Sequence, residues 1–189
     1  MKLVVVSAGL TQPSSTRLLA DRLATAVAAH ADVTPRVVEL RELAVDIANN
    51  LVTGFPAPAL DDALKAVVEA DGLVVATPIF TASYSGLFKS FFDLADNEAL
   101  TGKPVLIAAT GGTARHSLAL EHAMRPMFAY LHAVVVPTAV YAATEDWAGK
   151  DLAQRIDRAA GELADLMVRG PAPAKEEFVP FADLLGKKN

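Results

Sequence analysis

The chain has 189 residues and a mass of 19.9 kDa. At this size one domain can bury roughly 70% of the surface its unfolded form exposes, which disfavours a two-domain enzyme. A hydrophobic fraction of 52% with 21% charged residues excludes disorder over most of the chain, and a net charge of −5 leaves no basic footprint for nucleic acid or an anionic membrane. The absence of cysteine removes disulfides, thiolate nucleophiles, iron–sulfur clusters and cysteine zinc sites together. Met1 to Ser7 reads as a strand, not a signal peptide, and no stretch reaches membrane-span length, so a cytoplasmic protein acting on small molecules is expected.

In chain order, Leu3 to Ser7 is a short apolar run and so a strand, followed by a helix with the stripe Leu19, Leu23, Ala26 and Val27. Arg36 to Glu39 is the second strand. Residues 47 to 58 carry Gly54, Pro56 and Pro58 and read as one long loop in which Phe55 covers something. A helix with Leu60, Leu64, Val67 and Val68 follows, then a strand from Gly72 to Ala76 and a helix with Leu87, Phe88, Phe91 and Phe92. Pro104 to Ala109 is the fourth strand. The next helix presents Leu120, Met124, Met127, Phe128 and Leu131, and it should bend or bulge, because Pro126 lacks the N–H that would bond the His122 carbonyl. A strand from Val134 to Pro137 and a helix with Leu152, Ile156, Ala159, Leu163 and Met167 complete the series.

Most of these strands are apolar at consecutive positions, the mark of burial on both faces. Strict alternation with helices, joined by right-handed crossovers, predicts an α/β fold. It is a doubly wound five-stranded parallel sheet in a three-layer α/β/α sandwich over residues 1–169. The tail, 170–189, holds Pro171, Pro173 and Pro180 around Phe178 and Phe181 and is expected to be extended and docked on a neighbouring surface.

Ligands of open parallel sheets sit beyond the carboxyl ends of the strands. Three loops therefore matter: residues 7–16, 77–85 and 110–116. The first is neither GxGxxG nor a Walker loop, which disfavours dinucleotide and ATP sites. It is a hydroxyl-rich turn, with Ser14, Ser15 and Thr16 entering a helix, where free N–H groups and the helix dipole suit a phosphate monoester. The same residues are also what plain helix capping selects. In the second loop Pro78 stiffens the strand exit, and Ile79, Phe80 and Tyr84 offer an apolar wall to a flat ligand, or else a cap on the core. In the third, Gly111 and Gly112 between Thr110 and Thr113 let backbone N–H groups approach a ligand edge, or simply make a tight turn. One phosphate cup, one apolar plate and one rim of donors together describe flavin mononucleotide.

Across residues 1 to 168 the order of elements resembles the NAD(P)H-dependent FMN reductases of the flavodoxin-like superfamily, especially those that supply reduced flavin to luciferase-like monooxygenases. The specific pieces are PSST (13–16), TPIFTASYSGLFKSFFD (77–93) and TGGTARHSLALEHAMRP (110–126). The resemblance implies a flavodoxin-like fold, with Ser14, Ser15 and Thr16 on the FMN phosphate and Ser7, Leu10 and Gln12 in the same loop's contact set. It implies further that Pro78, Ile79, Phe80, Thr81, Ser83 and Tyr84 line the isoalloxazine and ribityl, that Thr110, Gly111, Gly112 and Thr113 meet the pyrimidine edge, and that His116 stands at the rim. It implies NADPH or NADH as electron donor and a homodimer or homotetramer. Many relatives carry an arginine in the first loop where Thr11 or Gln12 stands here.

Hydride transfer between nicotinamide and flavin needs no side-chain acid or base, and none of the three loops contains Asp or Glu. The expected activity is therefore NAD(P)H:FMN oxidoreduction. Quinone or azo reduction with bound FMN, and flavodoxin-type electron carriage, are the alternatives. No metal is expected: on one helix His116 and His122 would lie about 120° apart and could not share an ion. The run from Leu87 to Leu94 is broader than one narrow stripe, which suggests a second contact surface and an oligomer.

Overall fold

The computed structural model of the chain describes residues 1–170, so the expected tail lies outside the described residues from position 171 onward. Strands β1 (Lys2–Ser7), β2 (Thr34–Glu39), β3 (Gly72–Phe80) and β5 (Pro104–Gly111) run parallel in the order β2-β1-β3-β5. The fifth position is shared by β6 (Val134–Val135) and β7 (Val140–Ala143), both parallel to β5. A two-residue strand, β4 (Ser83–Tyr84), folds back antiparallel on the end of β3.

Successive residues of β1 point to opposite faces, and both faces are covered. Leu3 and Val5 join a core with Leu19, Leu23 and Val27 of α1 (Ser15–His30) and with Ile156 and Leu163 of α6 (Lys150–Arg169). Val4 and Val6 join the other, with Leu60 and Val67 of α3 (Pro58–Glu69) and the phenylalanines of α4 (Gly86–Phe92) and α5 (Arg125–Tyr130). Two-sided burial is why these strands read as continuous apolar runs. Among the described residues no helix is long and apolar enough to cross a membrane.

Residues 47 to 58 are not one loop. α2 (Ala44–Thr53) occupies most of that span, anchored by buried Ile47. Gly54 closes it in the left-handed conformation (φ 78°), donating its N–H to the Asn50 carbonyl at 2.8 Å, and Pro58 opens α3. Glycine and proline here mark a helix end and a helix start instead of a continuous irregular segment. Phe55 between them is 81% exposed.

The fifth strand is longer than Val134 to Pro137 and is interrupted at that proline. Side chains satisfy the backbone groups that leave the ladder. Thr138 donates its N–H and its hydroxyl to the Glu162 carboxylate, each at 2.7 Å, and Arg125 donates to the carbonyls of Val136 (3.0 Å) and Pro137 (3.1 Å). The sheet then resumes as β7, which the sequence reading missed.

Ahead of α5 the chain is irregular. A 3₁₀ turn spans Ala114–His116, and a π-turn, Leu120–Met124, runs without a break into α5, the Arg125 N–H bonding the Leu120 carbonyl; this is the bulge expected from Pro126, which has no N–H to offer the preceding turn. In the run Leu87 to Leu94, Phe88, Phe91 and Phe92 are buried, and the half-buried Leu87 and Leu94 pack against the same core. Phe88 lies 4.9 Å from Phe92, which lies 5.0 Å from Phe128 between ring centroids. Replacing Phe88 by Ala should destabilise the fold by about 3–5 kcal/mol, seen as a lower urea midpoint with an unchanged denaturant slope. A shift below about 1 kcal/mol would show that this cluster is not the packing centre described.

Candidate active site

The first turn of α1 has a particular hydrogen-bond pattern. Ser14, in extended conformation, caps the helix by accepting the Arg17 N–H on its Oγ at 3.2 Å. The N–H groups of Ser15 and Thr16 precede the first intrahelical bond and stay available for an anion, with the Ser14 and Ser15 hydroxyls beside them. The Thr16 hydroxyl is used elsewhere: buried, it shares a 2.7 Å hydrogen bond with the Thr110 hydroxyl at the end of β5. Thr16 therefore offers its main-chain N–H, not the hydroxyl that its side chain would suggest.

This turn forms one end of a cavity of about 520 Å³ at the carboxyl edge of the sheet, a volume typical of small-molecule sites. Its walls are Leu10 with Ser14, Ser15 and Thr16; Pro78, Ile79 and Phe80 from β3; and Thr110 and Gly111 from β5 with Gly112 just after it. Gly9, Thr11, Ala142, Thr144 and Trp147 complete it and were not foreseen. No wall residue is ionisable, so the cavity holds neither a general base nor a charged nucleophile's partner. Among the described residues no group of side chains could hold a metal ion.

The other expected residues sit around the cavity without lining it. Ser7 is buried at the last position of β1. Gln12 accepts from the Arg41 guanidinium at 3.1 Å with its amide oxygen turned that way. Thr81 is at the tip of the β3–β4 hairpin, Ser83 pairs with Phe80, and Tyr84 pairs with Ile79 and packs on Phe88 of the core. Thr113 caps the 3₁₀ turn by accepting the Arg115 N–H at 3.0 Å, and His116 lines a separate cavity.

Neutral hydrogen bonds hold each wall. The Thr77 hydroxyl accepts the Ser85 N–H at 3.0 Å, while Ser85 caps α4 at Phe88 (3.2 Å), which fixes the hairpin carrying Phe80. The Tyr141 hydroxyl donates to the Thr113 carbonyl at 2.9 Å and lies so close over Gly111 that a Cβ there would overlap it. Burial, followed by the nearby Asp146 charge, pushes the Tyr141 phenol up from its ordinary range. Asp146 also accepts the Ala143 N–H at 2.7 Å and pairs with Arg155 at 3.2 Å. Those contacts hold the 3₁₀ turn Thr144–Ala148 that presents Trp147, whose ring has the Arg22 guanidinium 5.1 Å from its centroid. The signal for Trp147 is the run Val140 to Ala143: as a strand it places the chain's single tryptophan on a fourth loop at the ligand edge.

Residues 1–148 match the family model described as NADPH-dependent FMN reductase. The chain is 38% identical over 148 residues to the NADH-dependent FMN reductase SfnE of Pseudomonas putida, covering 78% of this chain and 80% of that one. It is also 38% identical over 170 residues to an FMN reductase (NADPH) of Pseudomonas aeruginosa, covering 87% and 91%. Among solved structures, an oxidoreductase from Corynebacterium diphtheriae superposes with a TM-score of 0.87 at 50% identity, covering 89% of this chain and 97% of that chain. The apo form of the NADH:FMN oxidoreductase EMOB superposes at 0.79 with 29% identity, covering 92% and 91%. A flavodoxin from the domain Archaea, 17% identical with a TM-score of 0.62 and covering 89% and 99%, shares the fold.

Because the folded pKa of Tyr141 is raised, its contribution to stability is complete below the ordinary phenol range and is lost as pH climbs through the folded value. An ultraviolet titration of the three tyrosines should show one phenol ionising late, and Tyr141→Phe should remove that phase. Persistence of the late phase in the variant would assign it to another residue.

Proposed function

The chain belongs to the NADPH-dependent FMN reductase family, and from that premise we propose that the cavity above β1, β3 and β5 seats FMN while a nicotinamide nucleotide reduces it. One observation carries this reading: free N–H and hydroxyl donors at the start of α1 open into a cavity with a broad apolar wall and no ionisable side chain. The flavin, when bound, supplies the hydride-accepting ring, so the protein's share is binding, orientation and stabilisation of charge. Ser14 and Ser15, with the N–H groups of Ser15 and Thr16, hold the phosphate. Pro78, Ile79 and Phe80 back the ring system. The N–H groups of Gly111 and Gly112 donate to its pyrimidine edge and stabilise the negative charge that reduction places there. Trp147 closes the wall on the β7 side, and half-exposed Phe80 borders the side from which the nicotinamide arrives.

We place the reaction in the cytoplasm, where it draws on the NAD(P)H pool, and infer that reduced FMN is handed to a flavin-dependent monooxygenase. A homodimer or homotetramer fits the surface of α2 and the segment after it, where Val45, Val52 and Phe55 are exposed by 72%, 87% and 81%.

Anaerobic stopped-flow mixing with FMN and either NADH or NADPH should bleach the flavin's yellow absorbance; no bleaching with either nucleotide refutes the activity. A second expectation concerns the phosphate. FMN should bind ahead of riboflavin, and Ser14→Ala should weaken FMN roughly ten- to hundredfold, the loss of a hydrogen bond to a charged group, while leaving riboflavin unaffected. Flavin fluorescence titration reads both, and equal affinities for the two flavins would remove the phosphate from this turn.

A further inference from the structure

A second cavity, of about 370 Å³, opens beside the first and has the opposite character. Arg115, His116 and His122 line it together with Ala82 and Leu118. The two cavities adjoin through the β3–β4 hairpin and the glycine turn: Phe80 and Gly112 wall the first, Ala82 and Arg115 the second. On one regular helix the two histidines would point about 120° apart. The 3₁₀ turn that ends at His116 and the π-turn around His122 replace such a helix and bring both imidazoles to one cavity.

All three side chains are exposed, and among the described residues none has an acidic partner. Glu121, the acid nearest in sequence, is held by Arg125 at 2.6 Å. The cationic side chains near the first loop are otherwise engaged, since Arg17 and Arg41 both pair with Glu39. Arg22 lies over the Trp147 ring on the far wall, which leaves Arg115, on the hairpin side of the cavity, free to meet an anion. The opposing hairpin tip is a two-residue turn whose central residues, Thr81 (φ 49°) and Ala82 (φ 66°), take the left-handed values that such a turn demands, which sets Ala82 at the edge of this cavity. A cationic rim beside the exposed apolar side chain of Leu118 matches a pyrophosphate joined to a nucleoside.

We propose that Arg115, assisted by N–H donors of His116 and His122, binds the pyrophosphate of the nicotinamide dinucleotide, its adenosine lying against Leu118 and its nicotinamide reaching the first cavity past Phe80. The proposal rests on the reading of the first cavity as the flavin site. Because the pyrophosphate is common to NADH and NADPH, Arg115 governs affinity for both and does not choose between them. The guanidinium suits the role through its fork of donors, which lysine cannot reproduce.

The test uses ADP-ribose, which carries the pyrophosphate but no nicotinamide. Calorimetry should show Arg115→Ala weakening ADP-ribose by about ten- to hundredfold, with a parallel rise in KM for NADH and NADPH and Arg115→Lys falling between. FMN affinity by fluorescence should stay at the wild-type value in both variants, as should kcat at saturating nucleotide. Unchanged ADP-ribose affinity overturns the proposal, as does a KM rise confined to NADPH, which would place the 2′-phosphate there instead. A matching loss of FMN affinity also overturns it by moving Arg115 into the flavin site. Failure of the wild-type protein to bind FMN would count against the flavin reading alone, because ADP-ribose binding is measured without flavin.

Discussion

The hydroxyls of Thr16 and Thr110, both buried in the wall of the cavity, meet at 2.7 Å, and through them the first turn of α1 is tied to the last residues of β5. Each hydroxyl is the other's buried partner, so the loss of either strands a polar group at a cost of about 1–3 kcal/mol. The rest of the site is arranged around this link. The end of the cavity at Ser14 and Ser15 belongs to α1 and the end at Gly111 and Gly112 to the last residue of β5 and the turn after it, and a side-chain bond between buried threonines holds the two together. The pair Thr77–Ser85 and the pair Tyr141–Thr113 do the same for the remaining walls. All three fastenings are uncharged. A cavity built this way keeps a neutral interior of low polarity in which the few N–H donors aimed at a ligand retain their full strength, since no ionised neighbour competes with them.

The charged residues are held at the margins. Glu39 gathers Arg17 and Arg41 on one side, Asp146 and Arg155 brace the turn behind Trp147 on another, and the group without acidic partners, Arg115, His116 and His122, faces outward beside the hairpin. This division suits hydride transfer, in which two ring systems need a close apolar meeting place and the phosphates that carry them need cations or N–H donors outside it.

How much of this was legible in the sequence depends on how directly a residue type reports its surroundings. Strands β1, β3 and β5 were readable because burial on both faces leaves uninterrupted valine, isoleucine and alanine. The helix-opening Ser14 and Ser15 and the Gly111–Gly112 turn were readable because their chemistry is local. Gly54, Pro56 and Pro58 misled, since two helix boundaries a few residues apart carry the same composition as one loop, and only the burial of Ile47 shows that a helix precedes them. β7 was hidden by the break at Pro137, whose repair comes from Arg125 and Glu162, residues distant in sequence that no local pattern connects to it. With β7 went Trp147. The meeting of His116 and His122 was invisible for a similar reason, because the angular arithmetic of a regular helix does not apply across a 3₁₀ turn and a π-turn. The Thr16–Thr110 bond, between groups 94 residues apart, leaves no trace in either segment alone.

The contact between Gly111 and Tyr141 carries a consequence for how such a chain can diverge. Because the phenol stands where a Cβ at 111 would be, a larger residue there has to push the tyrosine aside and break its bond to the Thr113 carbonyl, while a smaller residue at 141 would open the space but release the same carbonyl. The two positions are therefore coupled: a descendant that alters one loses the bond that steadies the turn unless the other changes to compensate.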